Sequence, residues 1–374
     1  MNPRLRHIAC IARPAAWPGV VRRLSEQARA AQDLRIAMRF TVLAREPMQI
    51  PGVDCLAIGP LARFSRCRAI LAAGLLDGVD AAILRYPTAL DLAPAALLGR
   101  YGRRIVSEHH TDEASELRLI GRWPFGALKA RMEERCKPAF LRQLAGIIAV
   151  TRELCDLESA AAPALPATVI GNGIDVTAQP AHGPAPLPSG APLRLVWACS
   201  EFAPWQGLDR LLSGLAARST GRSVELVLAG RLSTAQHSAI AAASGTLLEV
   251  ICRGTLDSAG IDRELHAAHA VLGTLALHRK AMREACPLKV REAVARGLPV
   301  INACDDPDLP KDLPGVLRIE AGEEPVDGRS LVERAEVAAT DPLVPARLRQ
   351  HAVETMDWRP KLRRMVDFVA GAVR

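Results

Sequence analysis

Apolar runs of five to eight residues alternate along the chain with longer stretches in which apolar positions recur every three or four residues. The runs read as strands covered on both faces, the stretches as amphipathic helices. In the N-terminal half the runs are HIACIA from His7, MRFTVLA from Met38, AAILRY from Ala81, RIVSEH from Arg104 and GIIAV from Gly146, with helical stretches such as VVRRLSEQARAA between them. RLVWACS, VELVLAG, LEVICRG, AVLGTLAL and LPVINAC repeat the rhythm in the C-terminal half, with helices expected to begin near Leu208, Thr234, Ile261 and Leu288. Such alternation builds parallel sheets flanked by helices. Between the halves, TAQPAHGPAPLPSGAP over residues 177–192 holds five Pro and two Gly; it can neither propagate a helix nor complete a ladder, and so predicts a linker. The expected fold is therefore α/β, with two Rossmann-like domains facing across a cleft, over residues 1–176 and 193–343. A basic helix pair over 344–374, around Met356-Asp357-Trp358, is expected to pack back on the N-terminal domain.

The length of 374 residues exceeds the roughly 100–200 of one core and agrees with two domains. Nine cysteines, odd in number and without CxxC pairs, read as reduced thiols rather than a disulfide framework or a zinc site. No apolar run approaches the roughly 18–20 residues that span a bilayer, and the first residues hold too short an apolar segment for a secretory signal. The expected location is the cytoplasm, with peripheral contact at the inner face of the cytoplasmic membrane. The net charge of +8 is unevenly spread: residues 1–180 carry 24 basic against 17 acidic groups, the remainder 24 against 23. A basic half suits a phosphate-bearing substrate or anionic lipid. Without a helix-turn-helix, zinc-finger or RNA-binding aromatic signature, nucleic acid is not an expected partner.

The densest chemistry lies in GTLALHRKAMREACPLKVREAVARGLPVINACDD, residues 273–306. A strand is expected to end near Leu277, a polar loop follows, Pro287 stands where a helix begins and Gly297 where it closes. The free N–H groups and positive dipole end of that helix suit a phosphate, and Arg279, Lys280, Arg283 and Lys289 cluster around it. Two acids stand in this basic setting, Glu284 and Glu292, with seven residues between them. From Pro287 to Glu292 the helix rises about 7.5 Å, so the two carboxylates can meet the two ends of a diphosphate-linked molecule; equally, both can be solvated acids paired with Arg283 or Arg291. Glu292 would hold ribose hydroxyls, with Glu284 near a sugar and its developing positive charge.

EACPLKVREAVARGLPVI resembles the donor-binding signature of the retaining glycosyltransferases of family four: Glu, seven residues, Glu, then a small residue and GlPVI. VSEHHTDEASEL, GIIAVTRELCDL, VIGNGIDV and RLVWACSEFAPWQGLDRLL resemble four further segments of that family in the same order, so the likeness covers most of the chain. It implies the GT-B architecture, an N-terminal acceptor-side domain and a C-terminal donor-binding domain. It also implies Glu284 and His110 as catalytic residues, with Glu292, Lys289, Arg279, Leu288 and Gly19 binding the donor. His109, Arg231, Trp205 and Gln206 are further candidates. One departure stands out. Where many members carry an Arg and a Lys for the diphosphate, this chain has Glu201 and Gln206, and Arg279, Lys289 and Arg231 are expected to replace them.

The implied activity is transfer of a sugar, with retention, from a nucleoside diphosphate donor to a hydroxyl of a glycan or lipid-linked acceptor, in bacterial surface polysaccharide assembly. The nucleotide sugar is then a substrate, and neither cofactor nor metal is expected. A catalytically impaired binding subunit and a nucleotide-sugar epimerase of the same architecture are the alternatives. Asp306-Pro307-Asp308 has metal-binding spacing but reads as turn chemistry. GNG in VIGNGID lacks the third glycine of a dinucleotide fingerprint. RWPFGALKARMEERCKPAFLR, from Arg122, sets six basic residues against two acids around Trp123, Phe125 and Phe140; it reads as a solvated helix or as one lying on an anionic membrane surface.

Overall fold

Strands rich in Val, Ile, Leu and Ala, with helices between them, assemble into two sheets in the computed structural model, which describes residues 3–59, 65–88, 91, 94–120 and 125–373. The chain divides into two compact units: Met1–Gly171 with Trp358–Arg374, and Asn172–Asp357.

Unit 1 carries β1 Leu5–Cys10, β2 Met38–Ala44, β3 Val53–Ala57, β4 Ala81–Arg85, β5 Ile105–His109, β6 Gly146–Ala149 and β7 Ala167–Val169. They form one sheet in the order β3-β2-β1-β4-β5-β6-β7, with every pair parallel. The five expected strands are β1, β2, β4, β5 and β6. The two edge strands were missed because VDCLA is half exposed and ATV spans three residues, so neither shows a buried apolar run. The helices are α1 Pro18–Asp33, α2 Arg66–Ala72, α3 Pro94–Tyr101, α4 Glu113–Ile120, α5 Phe125–Leu141 and α6 Arg152–Ala161. Thr151 caps α6 by accepting from Leu154 N–H at 3.2 Å, which satisfies one otherwise unpaired helix-end donor.

Unit 2 contains β8 Leu193–Glu201, β9 Val224–Arg231, β10 Leu248–Gly254, β11 Ala270–Leu272, β12 Val300–Asn302 and β13 Val316–Arg318, in the parallel order β10-β9-β8-β11-β12-β13. Its helices are α7 Leu208–Ala216, α8 Thr234–Ala243, α9 Ser258–His266, α10 Leu288–Arg296, α11 Gly328–Thr340 and α12 Val344–His351. Leu208, Leu211, Leu212 and Leu215 of α7 bury their side chains against β8 and β9, each contributing about 1.5–3 kcal/mol. Residues of the expected linker belong to this unit: Gly183 N–H donates to Arg296 O at 2.9 Å and Ala185 N–H to Ala268 O at 3.1 Å.

The final helix, α13 Trp358–Ala372, completes unit 1. Trp358, Leu362, Met365 and Val369 join the cluster of Leu24, Ala28 and Ile83. The chain thus leaves unit 2 at Trp358 rather than at Val344, and α12 packs in unit 2 through Val344 and Leu348.

Candidate functional site

In an open parallel sheet, ligands bind beyond the carboxyl ends of the strands where the strand order reverses. In unit 2 that point lies between β8 and β11. The loop after β8 makes a short 3-10 turn, Pro204–Gln206, and then Gly207 at φ +80°. A Cβ at Gly207 would stand 3.0 Å from Ala276 Cβ, so glycine permits the loop after β11 to approach. That loop donates from Leu275 N–H to Gln206 O (2.9 Å) and from Ala276 N–H to Trp205 O (3.1 Å).

The apolar run AVLGTLAL is strand only to Leu272, not to Leu277. Beyond it, Thr274 N–H turns to Asn302 Oδ1 at 2.9 Å, and the next amides bond the β8 loop instead of a ladder. Leu275 and Ala276 stay buried, so the hydrophobic run marks a core loop. A turn at Leu277–Lys280 follows. Glu284 then pairs in a parallel bridge with Asp305, fixed by Ala285 N–H to Asp305 O and Asp305 N–H to Arg283 O, both 2.9 Å. Pro287 caps α10 and Gly297 closes it at φ +80°.

Leu288 and Lys289 open α10, and Lys289 Nζ lies 2.9 Å from Gln206 Oε1, 3.2 Å from Cys199 Sγ and 5.5 Å over the Trp197 ring. Burial pushes the Cys199 thiol up, so both hydrogen-bond partners of the ammonium are neutral. Arg279 differs. Its guanidinium donates to Asp209 at 2.9 and 2.7 Å, to Glu323 at 2.5–3.1 Å and to Pro204 O at 2.8 Å. Hydrogen bonds from Arg279 and His278 hold Glu323 at about 2. Arg231 pairs with Glu201 at 3.0 Å, both exposed, a contact contributing about 0–1 kcal/mol. Trp205 lies under Lys280 Nζ at 4.9 Å. Glu284 is half-buried. Glu292 is buried on α10, and its Oε1 accepts from Arg296 one turn on at 3.2 Å.

Sequence reasoning missed the carboxylates that hold these cations. Asp306 and Asp308 grip the wholly buried Arg291: the Arg291 NH2 group is 2.6 Å from Asp306 Oδ1 and 2.8 Å from Asp308 Oδ2, and Nε donates to Asn172 O at 3.0 Å. Asp308 N–H also donates to Asp306 Oδ1 at 3.0 Å. The pair with metal-binding spacing is therefore an Asx turn clamped by an arginine.

In unit 1, His109 lies in the core, stacked on Tyr86 (4.5 Å between centroids), with Nε2 2.9 Å from Ser107 Oγ and Nδ1 3.4 Å from Glu158. His110 stands just past the end of β5, partly accessible. Arg23 NH1 lies 2.7 Å from its Nε2, and Glu108, which also takes Arg23 and His7, lies 3.0 Å away. Burial, with Arg23 and Arg85, drives the His110 pKa well down. The ring is therefore neutral, with its Nε2 between the Arg23 guanidinium and the Glu108 carboxylate. Burial alone would raise Glu108, but Arg23, His110 and His7 hold it well below the usual carboxylate range. Arg23 carried no sequence signal beyond its place in an apolar helix. Gly19 is exposed in the first turn of α1.

This neutral-histidine pattern has a measurable consequence. His110, His182 and His269 are all depressed, chiefly by burial, so between about pH 6.5 and their folded values the unfolded chain binds more protons. Their stability contribution is complete above about pH 6.5 and is lost as pH falls through the folded values; Glu108 adds a loss of the same sign at lower pH. Thermal midpoints are expected to drop on acidification from about pH 7 to 5; a rise would contradict this assignment.

No protein-family profile and no curated protein matches the chain. Solved structures do. Sucrose-phosphate synthase from Thermosynechococcus elongatus is 14% identical, with 98% of this chain and 99% of that one covered at a TM-score of 0.69. The catalytic domain of starch synthase IV from Arabidopsis thaliana, bound to ADP and acarbose, is 14% identical over 100% of both chains at 0.66. Anabaena HepE in complex with UDP and glucose is 15% identical over 98% and 99% at 0.65. At these identities the likeness is one of fold, and with two parallel-sheet α/β units that reverse strand order at the same place, this chain has the fold of the GT-B glycosyltransferases.

Proposed function

We propose that the chain is a retaining glycosyltransferase of family four. It transfers a sugar from a nucleoside diphosphate donor to a hydroxyl of a glycan or lipid-linked acceptor on the cytoplasmic side of the membrane, in bacterial surface polysaccharide assembly. The observation that carries this reading is Lys289. It is an ammonium with neutral partners on the first turn of α10, at the switch point of the sheet, with Glu284 before it and Glu292 after it. The UDP and ADP complexes of HepE and starch synthase IV support the ligand class.

In this mechanism Lys289 and the free N–H groups of α10 stabilise the charge that grows on the leaving diphosphate, the largest expected effect. Glu292 binds the ribose hydroxyls and Glu284 the transferred sugar, whose developing positive charge its carboxylate stabilises. From unit 1 the reading takes His110 as a sugar contact. The departing phosphate accepts the acceptor's proton, so no side chain serves as general base. No metal is assigned; Asp306 and Asp308 already hold the Arg291 guanidinium.

A second reading, a donor-binding subunit without turnover, is favoured by the carboxylates that occupy Arg279 and Arg231. Thermal-shift measurements with UDP, GDP, ADP and their sugars test both. One nucleotide class is expected to raise the midpoint, by about 2.7 kcal/mol of stabilisation at 100 times its Kd. Product formation with hydroxyl acceptors then selects the enzyme, and binding without turnover selects the subunit. A flat response to all nucleotides removes both.

A further inference from the structure

We propose that the outward face of α5 docks the protein on an anionic phospholipid bilayer. A surface helix ordinarily buries its large apolar residues and exposes its charges. α5 departs from this at several positions, with two charges buried and three large apolar residues exposed. The positions facing unit 1 are Gly126, Ala130, Glu133, Lys137, Phe140 and Leu141. Glu133 accepts from Tyr86 OH at 2.6 Å, and Lys137 Nζ bonds Glu113 at 2.8 Å and Glu158 at 2.7 Å. Phe125, Leu128 and Met132 point away from the unit, 65%, 57% and 47% exposed.

At 100° per residue these three fall on one stripe. Lys129 lies on one side of it and Arg131 and Arg135 on the other, all exposed. Neither acid of α5 shares that face: Glu133 is buried, and Glu134 pairs with Arg118 of α4. Among the described residues no carboxylate pairs with Lys129, Arg131 or Arg135. An apolar centre with uncompensated basic flanks is the arrangement that lies in a bilayer interface, the apolar residues among the acyl chains and the cations at the phosphates. The basic excess of residues 1–180, 24 groups against 17, gives the same preference. Of the aromatics in the basic segment, Phe140 is buried in the core and Trp123 lies outside the described residues; Leu128 and Met132 take their place.

Vesicle binding needs no donor or acceptor, so its outcome is separate from that of the sugar-transfer reading. The full chain is expected to co-sediment with phosphatidylglycerol vesicles at low salt, to be released as salt rises, and to stay in solution with phosphatidylcholine. Leu128→Glu/Met132→Glu is expected to lower the bound fraction at least about fivefold while its thermal midpoint stays within about 2 °C of wild type, as exposed substitutions do. Three results would overturn the proposal: no binding to anionic vesicles by the wild type, equal binding by the double variant, or a concentration-dependent dimer that the double variant abolishes, which would make a second copy the occupant. If the double variant loses its thermal midpoint, Lys129→Gln/Arg131→Gln/Arg135→Gln decides on the same readout.

Discussion

Replacing Lys289 or Glu284 by alanine is expected to lower sugar transfer at least about tenfold in each case, about 1.4 kcal/mol of barrier. The two losses arise differently. In the proposed mechanism Lys289 makes its strongest interaction with charge that develops on the leaving diphosphate; a charge-assisted hydrogen bond contributes about 1.5–3 kcal/mol, so kcat should fall together with kcat/KM. Its present partners, Gln206 and Cys199, are neutral and survive its removal without a stranded charge, so the variant should keep its fold. Glu284 is held by the backbone bridge to Asp305, which does not depend on its carboxylate, and Glu284→Ala should likewise leave stability near wild type. Near-normal transfer rates in both folded variants would end the assignment.

The largest expected stability effect lies at Arg291. Its guanidinium is wholly buried between Asp306 and Asp308, and Arg291→Met would leave two carboxylates facing each other without their cation. Breaking a buried pair from one side costs about 3–5 kcal/mol, a fall of roughly 10 °C in the melting of unit 2. Removing the acids together with the arginine, as Arg291→Met/Asp306→Leu/Asp308→Asn, should recover much of the loss, because a matched apolar replacement of an ion pair is often neutral. Thermal or urea unfolding measures both. A single variant melting within about 2 °C of wild type would mean that the acids protonate or find water at little cost.

Local signals carried much of the architecture. Pro287 and Gly297 bracket α10, because proline fixes φ at a helix start and glycine accepts φ +80° at its end. Strand β11 was overread because an apolar run reports burial, while strand depends on where the amides bond, and Asn302 and the Trp205–Gln206 backbone supply partners that lie far along the chain. The same distance hid the state of the cations. Arg279 looked available, yet its acids Asp209 and Glu323 are 70 and 44 residues away, and spacing within one segment carries no trace of them. On α5 composition found the basic cluster, but only packing separates Phe125 from Phe140.

Unit 1 is built from two segments that flank unit 2, whereas unit 2 is one unbroken stretch. Domains ordinarily mature on the ribosome in the order they are made. Here Trp358, Leu362, Met365 and Val369 fill a space among residues translated before unit 2, so the earlier-made unit must wait, its apolar floor uncovered, until α13 has emerged. The later-made unit holds everything it needs by then, which inverts the usual order of maturation during synthesis.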